Sequence, residues 1–252
     1  MSGTENKKAS KKQIKGLFSS VKTQLPRMLI EVFVIIVSIL LAFAIEAWWS
    51  EHKERKIEKE ILSGILEDFL HNSDLLDANE KIHVQVFDAS NILASMIGPD
   101  AELTVTNDSI GTLILDMQNH YTYDPMTGTL NALINSDITL IEDWELRKSL
   151  VSWLDLVEDM NEDELNQRYL VQEYLHPFLL EQMPFRSMYG TEKDDYPISN
   201  FQPNYEPLFT DRYFQNLVEL KKRLASHVLA ELDLVRKECE KIILITEQEL
   251  KK

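Results

Sequence analysis

The chain has 252 residues, with 42 Asp and Glu against 26 Lys and Arg, a net charge of −16, and only 7 Gly, 8 Pro and 1 Cys. These values exclude a collagen-like, a disulfide-stapled and a low-complexity disordered protein. An apolar share of 44% supplies a core of ordinary size, so one domain plus an anchor is expected.

Charge divides the chain. Residues 1–27 hold Lys7, Lys8, Lys11, Lys12, Lys15, Lys22 and Arg27 against Glu5 alone, a tail of +6, and the other 225 residues carry −22. Between these regimes lies MLIEVFVIIVSILLAFAIEAWW, Met28 to Trp49, 22 residues that as a helix run about 33 Å, the hydrocarbon thickness of a bilayer. Glu31 and Glu46 each stand fourth from an end, where a carboxylate reaches headgroups or takes a proton. Trp48 and Trp49 fall where an interfacial aromatic belt belongs.

Ala42-Phe43-Ala44 also imitates a signal-peptidase site, but the apolar run is too long for a signal h-region and continues to Trp49. An uncleaved signal anchor is the better reading. The positive-inside rule then keeps residues 1–27 in the cytoplasm as a basic tail, makes 28–49 the transmembrane helix, and sends the acidic residues 50–252 to the far side. Lys53, Arg55, Lys56 and Lys59 after the span oppose this orientation. Within the span Glu31, Ile35, Ser38, Ala42, Glu46 and Trp49 share a helical face, and its small residues permit close approach of a second helix. That face reads equally as a self-association stripe and as ordinary variation, since no GxxxG is present.

No Pro occurs between Arg27 and Gly98, so the span is expected to continue into a water-exposed helix ending at Gly98-Pro99-Asp100. Its apolar stripe runs Ile57, Ile61, Ile65, Phe69, Leu76 and then Leu75, Ala78, Ile82, Val86, Ala89, Leu93, Met96, a shift that places a kink at Asn72-Ser73-Asp74. Short helices are expected over Asp108–Gln118 and Met126–Asn135. A longer one from Asp143 carries Trp144, Leu146, Leu150, Leu154, Val157, Leu165, Tyr169, Leu175 and Leu179 inward and bends at Pro177. Residues 184–208 hold four of the eight prolines and form a loop, and a last helix opens at Thr210 or Asp211.

These elements predict an all-α protein: one N-terminal transmembrane helix continuing into an antiparallel helical bundle of three long and two short helices. In that arrangement the short helices cap the distal end, the next long helix returns, and the 184–208 loop comes back to the bilayer. Its Phe185, Met188, Tyr189, Tyr196, Phe201 and Tyr205 then contact the interface or pack onto the bundle base.

Two stretches, LIEVFVIIVSILLAFAIEAWWSEHKERKIEKEILSGILEDF and YTYDPMTGTLNALINSDITLIEDWELRKSLVSWL, resemble a family of uncharacterised bacterial single-pass membrane proteins. The matching positions are Glu46, Trp48, Trp49, Arg55, Tyr123, Pro125, Thr129, Leu133, Ile134, Ser136, Leu146 and Arg147, with Asp137 in place of that family's usual Gly. The likeness covers about half of the chain. It implies a bacterial origin and no activity; with the orientation read from charge, the expected place is the bacterial inner membrane with the C-terminal part in the periplasm.

Chemical motifs are few. Glu80-x-x-His83 and Glu173-x-x-His176 have the spacing of di-iron bundles, but the wheel puts Glu80 and His83 about 160° and 100° from the apolar face, and ligands there must point inward. The acidic run Asp155 to Glu164 lacks calcium-loop spacing and reads as a solvated face. Cys239 reads as a small core residue that has no disulfide partner in the chain. No nucleophile elbow, zinc-protease, P-loop or Rossmann signature occurs, and an anionic body repels nucleic acid.

The expectation is therefore a non-enzymatic, membrane-anchored interaction module without a cofactor, acting on a second copy or another membrane protein. Its expected contact residues are Tyr121 and Tyr123, with Glu31, Ser38, Ala42 and Glu46 in the span. The alternatives are an extracytoplasmic sensor that signals through the span to a separate cytoplasmic partner, and, last, a carboxylate-based metalloenzyme.

Overall fold

A computed structural model describes residues 3–101, 105–186 and 199–252, with side chains from Met28 onward. Its helices are α1 (Gly3–Met96), α2 (Asn107–Gln118), α3 (Gly128–Ser136), α4 (Trp144–Leu170), α5 (His176–Gln182), α6 (Glu206–Phe209) and α7 (Arg212–Leu250), with a 3-10 turn at Ile138–Leu140 and a π turn at Val171–Leu175. No strand occurs among the described residues. The chain divides into two compact units, Met1–Ile57 and Glu58–Lys252.

In the first unit the helix carries an 18-residue window of mean hydropathy 3.0, none of it buried inside the protein. It is the one helix among the described residues long and apolar enough to cross a membrane.

The second unit is built on three heptad lines. Along α1 the inward positions are Glu58, Leu62, Ile65, Phe69, Asn72, Leu76, Asn79, His83, Val86, Ser90 and Leu93, alternating steps of four and three. Along α7 they are Phe214, Val218, Lys221, Ala225, Val228, Leu232, Val235, Cys239, Ile242, Thr246 and Glu249, again without a break. This 3.5-residue repeat is the seam of a left-handed bundle. It also removes the expected kink. The apparent shift at Leu75 came from following apolar residues alone, whereas Asn72, Asn79 and His83 hold the true line and Leu75 and Ile82 flank it.

Helix ends follow local chemistry. Asp143 Oδ1 accepts from Leu146 N–H at 2.7 Å, Asp211 Oδ1 from Tyr213 and Phe214 N–H at 2.6 and 3.0 Å, and Thr106 Oγ1 from Ser109 N–H at 3.3 Å, each satisfying an orphan first-turn amide. Pro177 offers no N–H to the preceding turn, and the helix widens ahead of it: His176 N–H donates to the Val171 carbonyl, five residues back. Trp144, expected inward, stands 66% exposed, and Leu165 and Tyr169 are exposed too, because Met160, Glu164, Gln167 and Val171 take the inward line.

The topology of the described residues differs from the expected one in direction. Glu58 meets Glu142, Phe69 meets Trp153 at 4.6 Å between ring centroids, Asn79 meets Glu164 and His83 meets Gln167, every pair 84 or 85 residues apart. A constant offset means that α1 and α4 run parallel and in register. The chain between them returns along the unit: α2 packs beside Leu93, residues 119–127 run without regular structure past Asn72, and after α3 the chain reaches Glu58 at Glu142. The short helices are thus a broken descending element, and α7 alone among the long helices is antiparallel to its partners. Consequently the described residues that follow the loop after α5 lie where α1 stops, Gly98 N–H donating to the Phe209 carbonyl of α6 at 3.0 Å, and not at the Glu58 end of the unit, to which the sequence reading returned them. Tyr205 is buried there and Phe201 is exposed. Met188, Tyr189 and Tyr196 lie outside the described residues.

Two apolar cores result. One surrounds Phe69, Trp153 and Val235, and the other Leu93, Leu175, Phe209 and Phe214. Asn79, His83, Glu164, Gln167 and Lys221 fill the level between them, each 1% exposed or less.

Candidate functional site

A segment without regular structure laid against a bundle has no helical ladder, so those of its amides and carbonyls that face inward need partners from elsewhere. Residues 119–127, hereafter the strap, obtain them from the polar heptad positions. Lys221 Nζ donates to the Asn119 carbonyl at 3.0 Å. Tyr123 N–H donates to Glu164 Oε2 at 2.9 Å, and its hydroxyl to the Asn72 carbonyl at 3.2 Å. Asn72 brackets Met126, donating from Nδ2 to its carbonyl at 2.9 Å and accepting its N–H on Oδ1 at 2.7 Å. Just below, Asp68 Oδ2 accepts from Thr129 N–H at 3.2 Å, and Glu58 Oε1 from Glu142 N–H at 2.7 Å.

Behind the strap buried polar side chains form a relay whose one step without a hydrogen bond lies at His83 Nε2. Lys221 Nζ donates to Gln167 Oε1 at 2.6 Å, Gln167 Nε2 faces His83 Nδ1 at 3.4 Å, His83 Nε2 lies 3.4 Å from Glu164 Oε1, and Asn79 Nδ2 donates to that same oxygen at 2.9 Å. The relay starts under Asn119 and ends under Tyr123, so it closes on the strap. With Lys221 Nζ donating to Gln167 Oε1, the amide turns its Nε2 toward His83. His83 Nδ1 must then accept, which leaves the imidazole hydrogen on Nε2, facing the carboxylate.

That tautomer bears on metal chemistry, since a ring nitrogen carrying hydrogen offers no lone pair to a cation. The expectation that His83 points away from the core is corrected: it is fully buried, on the same heptad line as Asn79. Glu80, its sequence partner, is exposed and bound at 2.7 Å by Arg236, which also holds Asp77. Glu173 is exposed, while His176 is half-buried against the Phe185 ring. Among the described residues no three His, Cys, Asp or Glu side chains converge.

Burial without a counter-ion weakens the charge on Lys221. Both oxygens that it meets are neutral, and desolvation pushes its amine down to about 7. Burial likewise pushes the Tyr123 phenol up, and the Cys239 thiol up to about 12, where it donates weakly to the Phe69 carbonyl at 3.5 Å. His176 is lowered by burial and then by His120.

The two tyrosines of the strap part company. Tyr121 is exposed, whereas Tyr123 is buried and acts as a staple, so its ring offers no outer contact. Glu31, Ser38, Ala42 and Glu46 all lie exposed along α1 in the first unit, where Ser38 Oγ donates to the Val34 carbonyl at 2.8 Å. Trp48 stacks on His52 at 5.9 Å and sits 6.4 Å from Trp49.

Two grooves mark the second unit. One, of about 480 Å³, runs between strap residues Thr122 to Thr127 and the α4 residues Leu154, Val157, Asn161 and Arg168. The other, of about 500 Å³, lies between the π turn and α7 and is walled by Tyr169, Tyr174, Tyr213, Leu217 and Leu220, with Asn166 and Asn216 at its polar edge. None of its lining side chains is charged, on a chain body of −22. The Tyr169 and Tyr174 rings meet edge to face at 5.8 Å on its rim. Sequence reading missed the two grooves because Tyr169 of this one and Leu165 of the strap-side one passed for core positions. A strict 3.5 repeat through Glu164 and Gln167 marks them as outward.

The fold and these features define a helical bundle with a polar central layer, joined to a helix of membrane-spanning length. Comparison with known proteins found no matching family model, no matching curated protein and no matching solved structure.

Proposed function

We propose that the protein is a membrane-anchored helical interaction module, held by Met28–Trp49 with its basic tail in the cytoplasm and its acidic bundle on the periplasmic side of a bacterial inner membrane. The observation that carries the reading is the uncharged groove between the π turn and α7. Tyr169, Tyr174, Tyr213 and Leu220 are between 44% and 58% exposed there, forming the kind of aromatic, charge-depleted patch that protein interfaces use. Its absence of charge matters for an anionic body, because a second acidic protein can approach there with the least repulsion. The partner is another membrane protein or a second copy of the chain. The resemblance to uncharacterised single-pass proteins agrees with the anchor and adds no activity.

The test is site-specific photocrosslinking in native membranes, with the probe at Leu220 and, as a control, at Val84 on exposed α1 surface. A discrete adduct from Leu220 and none from Val84 is expected. Equal labelling, or no adduct at either position, overturns the proposal.

A further inference from the structure

Lys221 is covered by a lid that has no ladder of its own. Its Nζ is tied to the Asn119 carbonyl and to Gln167 Oε1, both neutral, and among the described residues no carboxylate lies within ion-pair distance of it. The strap above it is fastened by side chains: Lys221 at Asn119, Glu164 at Tyr123 and Asn72 at Met126. Such a segment opens locally at much lower free energy than the helices around it. Opening would bring water to an amine that the closed bundle holds dry.

We propose that the strap is a proton-linked latch: lifting it from Lys221 lets the amine take up a proton, so opening is favoured as pH falls toward neutrality and closure is favoured under alkaline conditions. The sign follows from linkage, since the form that binds more protons gains as protons become abundant. In the closed form burial holds the amine down at about 7, whereas an opened strap returns it toward 10.5. Between those limits each opening takes up close to one proton. An open strap uncovers Tyr123 and the Leu154 and Val157 wall of the strap-side groove, so the latch controls access to that surface.

Other ionisable groups surround the relay. Facing it are His83 from α1, Glu164 from α4, and His120 and Tyr123 from the strap, with His176 beside His120, and Arg236 and Cys239 beside Tyr123. The latch is read between pH 7 and pH 9, where Lys221→Met separates its dependence from that of every neighbouring group. Tyr123 and Cys239 are both pushed up beyond that range.

The experiment is amide hydrogen exchange on the full chain in detergent micelles, read at Tyr123 and Met126 and corrected for the intrinsic effect of pH. The strap-opening constant should fall about fifty-fold from pH 7 to pH 9, the slope of one proton. Lys221→Met should abolish that dependence. A flat wild-type profile, or a slope that survives in Lys221→Met, overturns the latch. Should the variant fail to fold, the side-chain ¹⁵N signal of Lys221 in the wild type decides: conversion from ammonium to amine near pH 7 supports it, and an ammonium persisting at pH 9 overturns it.

Discussion

Asn72 holds Met126 from both sides, giving its amide N–H to the Met126 carbonyl at 2.9 Å and taking the Met126 N–H at 2.7 Å, as a neighbouring strand would. One side chain thus replaces two backbone partners. Asn72→Leu fills the position but leaves both strap groups unpaired, and should cost roughly 2–4 kcal/mol in denaturant unfolding, with the fastest new exchange at the Met126 amide. Asn72→Asp keeps the acceptor and should lose less.

Glu164 collects the Tyr123 N–H and the Asn79 amide beside His83, so its removal strands several buried groups at once. Glu164→Leu should destabilise by roughly 3–5 kcal/mol, and Glu164→Gln by clearly less because an acceptor oxygen remains. Equal losses in chemical denaturation would mean that a single acceptor oxygen at this position does not hold the strap.

Much of this architecture was legible beforehand and some was not, for identifiable reasons. Asp143 and Asp211 announced the starts of α4 and α7 because a capping carboxylate needs only its next three residues. The apolar span was legible because it needs no partner to define it. The central layer was hidden: Asn79, His83, Glu164, Gln167 and Lys221 are polar, so an apolar stripe bypasses them, and only an unbroken 3.5 repeat brings them inward. The parallel pairing of α1 with α4 was hidden for a related reason. The element that carries the chain back includes the strap, and residues 119–127 have no periodicity to display. Of the two proposed contact tyrosines, Tyr121 is outside and Tyr123 inside, a distinction made by Glu164 and Asn72 rather than by anything local.

Lys221 also governs global stability. Its amine stands at about 7 in the folded protein against 10.5 ordinarily, so the unfolded chain binds the extra proton between those values. The contribution is greatest above pH 10.5, declines as pH falls to about 7 and is level below that, a span of a few kcal/mol. Denaturation midpoints of the wild type and Lys221→Met across pH 7–10 check it. The wild-type stability gain attributable to this residue should be missing from the variant.

Gly64 lies against Thr129, and a Cβ there would meet Thr129 Cγ2 at 3.1 Å. Thr129 is pinned by the bond from its N–H to Asp68, so it yields poorly. Gly64→Ala should therefore lose about 1 kcal/mol despite the better helix propensity of alanine. In a Thr129→Ser background, which removes the obstructing methyl, the same change should become stabilising by about 0.5–1 kcal/mol, a coupling that a double-mutant cycle measures.

The anchor is tested most directly by fractionating cells that express either the full chain or residues 50–252 alone, with an alkaline carbonate wash of the membranes. The full chain should remain in the washed membranes and be released only by detergent, while residues 50–252 should be recovered in the soluble fraction. Recovery of the full chain in the soluble fraction without detergent would contradict the account at its base.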